Sequence, residues 1–89
     1  MKILKIDIPV DDQWHTIGVG TGVVHVGHQR EGFVTVWFVQ HDPERQNIET
    51  YRVYGAGQHI QPHVGFTTYP KYVATVQAPS GLVWHLMVL

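Results

Sequence analysis

The amino-acid sequence predicts an all-β domain, a small antiparallel sandwich or partly open barrel of about six or seven strands. Apolar and polar residues alternate with a period of two in several short segments, which is the pattern of half-buried strands. No apolar period of about 3.6 residues persists for three turns, so no amphipathic helix is expected. With 89 residues, the chain is expected to be a single domain covering residues 1–89.

The clearest strand patterns are at the beginning and in the first half of the chain. In residues 2–8, Leu4, Ile6 and Ile8 share one face, and Pro9 ends the strand because it cannot donate to a ladder. Residues 23–28 and 33–41 predict a hairpin, in which Gly32 suits the positive φ of the connection. Further strands are expected over residues 14–17, 48–54, 71–77 and 82–89.

The last of these strands is apolar on both faces. Alternation places Leu82, Trp84, Leu86 and Val88 on one face, and Val83, His85, Met87 and Leu89 on the other. A surface strand would have polar residues on one side, so this strand is expected to be covered on both sides. The cover comes either from the interior of the fold or from another copy of the chain. Because a chain this short buries a limited share of its surface, we expect a homo-oligomer.

Composition excludes several classes of protein. The absence of cysteine excludes disulfides, thiolate zinc sites and cysteine nucleophiles. A formal net charge of −1 without a basic block makes duplex nucleic acid an improbable partner. No segment has the roughly 20 apolar residues of a membrane span, so we expect no membrane association and a cytoplasmic protein. Seven histidines are unusual, and protonating all of them would raise the net charge from −1 to +6.

The histidines do not form a recognisable metal motif. The sequence contains no His-x-His pair, and His25 and His28 fall on opposite faces of a regular strand. In the irregular stretch 55–70, His59 and His63 could be joined by a third ligand from His41, His85 or Asp42, but hydrogen bonding to the backbone is the simpler interpretation. Ser80 is the only serine and lies in an ordinary turn. We therefore assign no catalytic residue, no metal ligand and no cofactor.

Small-molecule binding fits the residues better. Residues 55–70 form the longest irregular stretch, and connections of this length are often functional. Immediately before it, Arg52 and Tyr54 share one strand face, where a cation and an aromatic ring could together hold an anionic ligand. Alternatively, Arg52 is a cross-strand partner of Glu49 or Glu31. The candidate ligand-binding residues are Arg52, Tyr54, Gly57, Gln58, His59, His63 and Lys71.

Three stretches resemble a group of small bacteriophage-encoded proteins of unknown function. They are KIDIPVDDQ at residues 5–13, YRVYGAG at residues 51–57 and GLVWHL at residues 81–86. In that group the middle stretch usually ends Tyr-Gly-Thr-Gly, whereas this chain has Ala56 and a longer connection after it. The resemblance implies a phage origin and the cytoplasm of an infected bacterium, but no activity.

These expectations lead to three functional hypotheses. The first is a non-enzymatic homo-oligomer that sequesters a small anionic, nucleotide-type ligand, with Arg52 on the phosphate, Tyr54 stacking and His59 and His63 donating hydrogen bonds. In a phage protein, such a ligand could be a signal of host defence. The second is a module that binds and inhibits a host bacterial protein through exposed aromatic side chains. The third is a hydrolase of a nucleotide signal that uses histidine as general acid and base.

Overall fold

The structure is a computed structural model that describes residues 1–20, 22–42, 44, 47–62 and 69–89. It contains seven strands: β1 (Lys2–Pro9), β2 (His15–Val19), β3 (Gly22–Gly27), β4 (Phe33–Gln40), β5 (Asn47–Gly55), β6 (Lys71–Gln77) and β7 (Val83–Val88). Each predicted strand is present, and β2 begins one residue later and ends two residues later than expected. No helix capable of crossing a membrane occurs in the described ranges.

The strands form two sheets, one ordered β1-β4-β3 and the other β2-β5-β7-β6. Every pairing is antiparallel, and the predicted hairpin is the β3–β4 pair, in which His25 lies opposite Trp37. The connection of this hairpin contains Gly32 at a φ of 82°, as expected from the sequence. The all-β prediction is confirmed, and because the sheets do not close on each other the fold is a sandwich.

The core lies between the two sheets and is built mainly from alternate residues of the strands, with β3 adding only partly buried residues. From the first sheet it includes Ile8, Val34, Val36 and Phe38, and from the second it includes Val19, Tyr51, Val53, Val76 and Leu86. The core residues thus alternate along the strands with the period of two that the sequence pattern predicts. Trp84 packs against this cluster, whereas Trp14 and Trp37 are half-buried elsewhere.

β7 is an interior strand between β5 and β6. Its neighbouring residues Leu86 and Met87 point to opposite faces and are both buried within the single chain. The remaining strand residues, 83–85 and 88, are half-buried. Leu86 is buried in the core between the sheets, whereas Met87 lies opposite Arg52 and is buried among the side chains of the other face.

The order of the second sheet explains the long connection. Because β5 and β6 are both antiparallel to β7, they run parallel to each other and cannot be joined by a tight hairpin turn. Residues 56–70 instead connect the end of β5, where Gly55 lies opposite Trp84, to the start of β6, where Lys71 lies opposite Val88. The first part of this connection thus begins at one end of the sheet, beside the residues that precede β2.

Candidate functional site

The outer face of the second sheet carries a cluster that we call the Arg52 site, made of Asp12, Trp14, Arg52, Tyr54 and Gln58. Arg52 and Tyr54 are two residues apart on β5, so both side chains project away from the core. The guanidinium carbon of Arg52 lies 4.6 Å from the centroid of the Tyr54 ring. Trp14 meets the same ring edge-on, with a centroid separation of 6.3 Å and an interplanar angle of 74°.

Arg52 is incompletely paired. Its side chain is 23% exposed, and its Nη2 atom lies 4.0 Å from Oδ1 of Asp12. That separation permits attraction between the charges but is too long for a hydrogen bond. The buried Nε atom has no hydrogen-bond partner among the described residues. A buried donor left without a partner costs roughly 1–3 kcal/mol, so this arrangement is energetically unfavourable unless another molecule improves it.

Asp12 joins two connections of the chain that are distant in sequence. It has a φ of 59°, in the left-handed region that aspartate tolerates better than most residues. Its Oδ1 accepts a hydrogen bond of 2.8 Å from Nε2 of Gln58. Gln58 in turn accepts one of 2.7 Å at Oε1 from the backbone nitrogen of Gly55. The β1–β2 connection is therefore tied to the start of the β5–β6 connection beside Arg52.

A second polar contact lies in the same β1–β2 connection. Nε2 of His15 is 2.8 Å from Oδ1 and 3.0 Å from Oδ2 of Asp11. The hydrogen bond with His15 is the main cause that lowers the pKa of the Asp11 carboxyl. The backbone nitrogen of Gln13 also donates to this carboxylate at 3.0 Å. Asp11 is thus held by its neighbours, and Asp12 is the carboxylate that faces Arg52.

The structure brings some of the predicted site residues together and separates others. Arg52, Tyr54 and Gln58 belong to the Arg52 site, and Gly57, with a φ of 82°, forms the turn that presents Gln58. His59 is exposed and follows that turn. Lys71 lies opposite Val88, which packs on the core side of the sheet, so alternation directs Lys71 away from the face that carries Arg52. His63 lies outside the described residues.

Two details of the sequence interpretation change. Tyr54 is only 4% exposed and supports the guanidinium, which leaves its ring little surface for stacking on a ligand; Trp14, which is half-buried, is the more accessible ring. The carboxylate nearest Arg52 is Asp12, whereas Glu49 lies opposite Ile17 in the β2–β5 ladder and Glu31 lies in the β3–β4 connection. Sequence reasoning missed Asp12 because no local pattern relates it to β5.

His85 lies on the same face as Arg52 and is part of a chain of polar contacts. Nδ1 of His85 is 2.9 Å from Oγ1 of Thr75, which is itself 2.8 Å from the hydroxyl of Tyr72. His85 lies opposite Tyr54 in the β5–β7 ladder, next to the Arg52 site. In the described part of the chain, no group of three or more His, Asp or Glu side chains is arranged to hold a metal ion.

Comparison with known proteins shows the family but not an activity. No curated protein matches the chain, and no solved structure matches it. The sequence model of a domain of unknown function, DUF7352, matches residues 1–89. The expected membership of an uncharacterised family is confirmed, while the phage origin remains a prediction. The chain therefore belongs to the DUF7352 family of domains of unknown function.

Proposed function

We propose that this protein binds a small anionic ligand of the nucleotide type at the Arg52 site and holds it without altering it. The observation that carries the proposal is the half-buried guanidinium of Arg52, which stacks on Tyr54 and has no hydrogen-bonded acceptor among the described residues. A desolvated cation without an acceptor is costly to a protein. A ligand whose oxygens reach the terminal nitrogens would give the guanidinium charge a hydrogen-bonded acceptor and so offset part of that cost on binding.

The geometry of Arg52 favours phosphate over a simple halide. The planar guanidinium presents several N–H groups in one plane, and phosphate oxygens match two of them at once. Since Nε is buried, the ligand would reach the terminal nitrogens first, in competition with Asp12 at 4.0 Å. The ring of Tyr54 holds the guanidinium plane in place, so little side-chain freedom is lost when phosphate binds.

The other residues of the site supply groups that suit a nucleobase. Trp14 is half-buried beside Tyr54 and offers an aromatic surface on which a base could stack. Asp12 is exposed and oriented by Gln58, and its carboxylate can accept N–H groups of a base. Anion, ring and donor are combined in a nucleotide, which is why we prefer this ligand class to inorganic phosphate alone.

The biological setting belongs to the same proposal. In a phage-encoded protein, holding a nucleotide intact would lower the concentration of a host defence signal in the cytoplasm of the infected bacterium. A homo-oligomer would multiply the number of sites. These statements rest on the sequence resemblance, and sequestration is preferred to hydrolysis because the sequence contains no recognisable catalytic motif.

Isothermal titration calorimetry with pyrophosphate, guanosine monophosphate and a cyclic dinucleotide tests the proposal. The wild-type protein should bind at least one of the nucleotides more tightly than pyrophosphate. Arg52→Gln should weaken that binding by about tenfold or more, because it removes a charge-assisted hydrogen bond. The matched control is Arg30→Gln, since Arg30 also stacks on an aromatic ring but is paired with Asp7 at 3.2 Å.

Two results would contradict the proposal. Equal losses in both variants would show that binding follows overall charge and not the Arg52 site. No saturable heat with any of the three anions would remove the basis for a nucleotide ligand and favour the inhibitor of a host protein. Mass analysis of the nucleotide recovered after denaturing the protein separates sequestration, which returns it intact, from hydrolysis.

A further inference from the structure

A cavity of about 170 Å³ opens between turns of the two sheets. It lies between the β3–β4 connection, represented by His28, Glu31 and Gly32, and the β6–β7 turn, which begins at Ala78. Trp84 and Leu82 complete the apolar part of its lining. Each of the two sheets contributes one wall, so the cavity exists only when the sandwich is assembled.

Backbone hydrogen bonds fix both walls. In the β6–β7 turn, the nitrogen of Ala78 donates to the oxygen of Leu82 at 2.8 Å, and the nitrogen of Gly81 donates to the oxygen of Ala78 at 2.9 Å. On the other wall, the oxygen of Gly32 accepts from the nitrogen of Val10 at 2.9 Å. Gly81 and Gly32 both have positive φ, which gives each turn a defined shape. The cavity is thus largely preformed.

The interior of the cavity is apolar and of the size of one ring. Trp84 packs against the core cluster but remains half-buried, and Leu82 is 53% exposed. An engineered apolar cavity of about 150 Å³ in another protein binds benzene. A volume of about 170 Å³ therefore accommodates a single six-membered ring placed against Trp84 and Leu82. Burial of such a ring is the main favourable contribution to binding.

The polar part of the lining carries an available negative charge. Among the described residues, Glu31 and His28 form no hydrogen bond or ion pair through their side chains. The cation next in sequence, Arg30, is paired with Asp7 at 3.2 Å. The carboxylate of Glu31 is therefore free to receive a positively charged group from a ligand.

We infer that this cavity binds a small organic amine, with its ring against Trp84 and its ammonium group at the carboxylate of Glu31. This ligand is opposite in charge to the one proposed for the Arg52 site. The inference does not depend on that site, because the two are built from different residues.

Proton–nitrogen correlation NMR with benzylamine as the probe tests the inference. Benzylamine should cause saturable shifts in the indole N–H signal of Trp84 and in the amide signals of residues 78–82. Benzyl alcohol, which has the same ring without the charge, should bind about tenfold more weakly, and benzoate more weakly still.

Two variants locate the contributions of charge and apolar surface. Glu31→Gln should weaken the binding of benzylamine by about tenfold and leave the binding of benzyl alcohol unchanged. Glu44→Gln, at another exposed position, is the control for net charge. Leu82→Asn should weaken the binding of both ligands. Val24→Asn, at a position of similar exposure, should leave the binding of both unchanged. Saturation by benzylamine and benzyl alcohol with equal affinity would overturn the assignment of an amine. The absence of saturable shifts would overturn the cavity as a binding site.

Discussion

Two arginines in the described part of the chain stack on aromatic rings, Arg30 in the β3–β4 connection and Arg52 on β5, and they differ in how their charge is satisfied. Arg30 lies 3.9 Å from the centroid of Phe33, and Arg52 lies 4.6 Å from that of Tyr54. Nε of Arg30 is 3.2 Å from Oδ2 of Asp7, although this arginine is 61% exposed. Arg52 is only 23% exposed, yet its nearest carboxylate oxygen is 4.0 Å away.

Solvation alone would favour the opposite arrangement, with the carboxylate paired to the less exposed arginine. An exposed guanidinium is hydrated and gains little from a surface ion pair, whereas a half-buried one needs an acceptor. Asp7 additionally accepts a hydrogen bond of 2.7 Å from the hydroxyl of buried Thr35, so the Arg30 region is a complete structural network. In the Arg52 region, the described residues provide no hydrogen-bonded acceptor for the guanidinium. This difference assigns Arg30 to the fold and supports the proposal that Arg52 binds a ligand.

The largest predicted difference in stability concerns the two carboxylates. Asp7→Ala should lower the free energy of unfolding by about 1–3 kcal/mol, because it leaves the buried hydroxyl of Thr35 without its acceptor. Asp12→Asn should change it by less than about 0.5 kcal/mol, since this residue is exposed and asparagine tolerates the same φ. Urea denaturation measures both. Equal effects of the two substitutions would contradict the distinction between a structural and a ligand-binding region.

Replacing each arginine by methionine tests the same distinction by removing the positive charge instead of the carboxylate. Arg52→Met keeps an extended side chain against Tyr54 and removes the unpartnered Nε, so the melting temperature should stay the same or rise. Arg30→Met removes the partner of Asp7 and should lower the melting temperature slightly. Scanning calorimetry gives both values. A clear loss of stability in Arg52→Met would mean that Arg52 is a structural residue.

Alkaline unfolding should report on the core face of β5, where Tyr51 lies, and not on the opposite face that carries Arg52. Burial, followed by the negative charge of Glu49, raises the pKa of Tyr51 above its ordinary value of 10.0. The folded state holds this proton more tightly than the unfolded state. The contribution to stability is therefore complete below about pH 10 and lost as the pH rises through the folded-state pKa. Tyr51→Phe should flatten this decline in urea midpoints measured between neutral and alkaline pH; an unchanged decline would rule out Tyr51 as its source.

The smallest predicted effect lies in the connection that carries Asp12. The hydrogen bond with His15 lowers the pKa of Asp11 below its ordinary value of 3.8. A carboxyl with a lowered folded-state pKa stabilises the fold above its unfolded pKa, and this contribution is lost as the pH falls through the folded value. His15→Gln should raise the pKa of Asp11 in an NMR titration. A titration curve that does not move would show that His15 is not the cause.

Much of the fold could be predicted because its information is local. Period-two alternation identified the strands, and Gly32 with the flanking patterns identified the β3–β4 hairpin. The same alternation placed Arg52 and Tyr54 on one face. The role of Asp12 could not be predicted, because its approach to Arg52 depends on β2 pairing with β5 and on the hydrogen bond from Gln58. The cavity likewise depends on two turns that meet only through the packing of the sheets.

The most direct test of the central claim observes the side-chain Nε–H signals of the two arginines by NMR during a titration with pyrophosphate. Asp12→Asn provides a sensitised background, because it removes the carboxylate that competes for Arg52. We predict that the Arg52 signal moves to saturation, at lower pyrophosphate in Asp12→Asn than in the wild type, while the Arg30 signal stays in place. Equal, unsaturable movement of both signals, or movement of Arg30 alone, would contradict the assignment of Arg52 as the anion-binding residue.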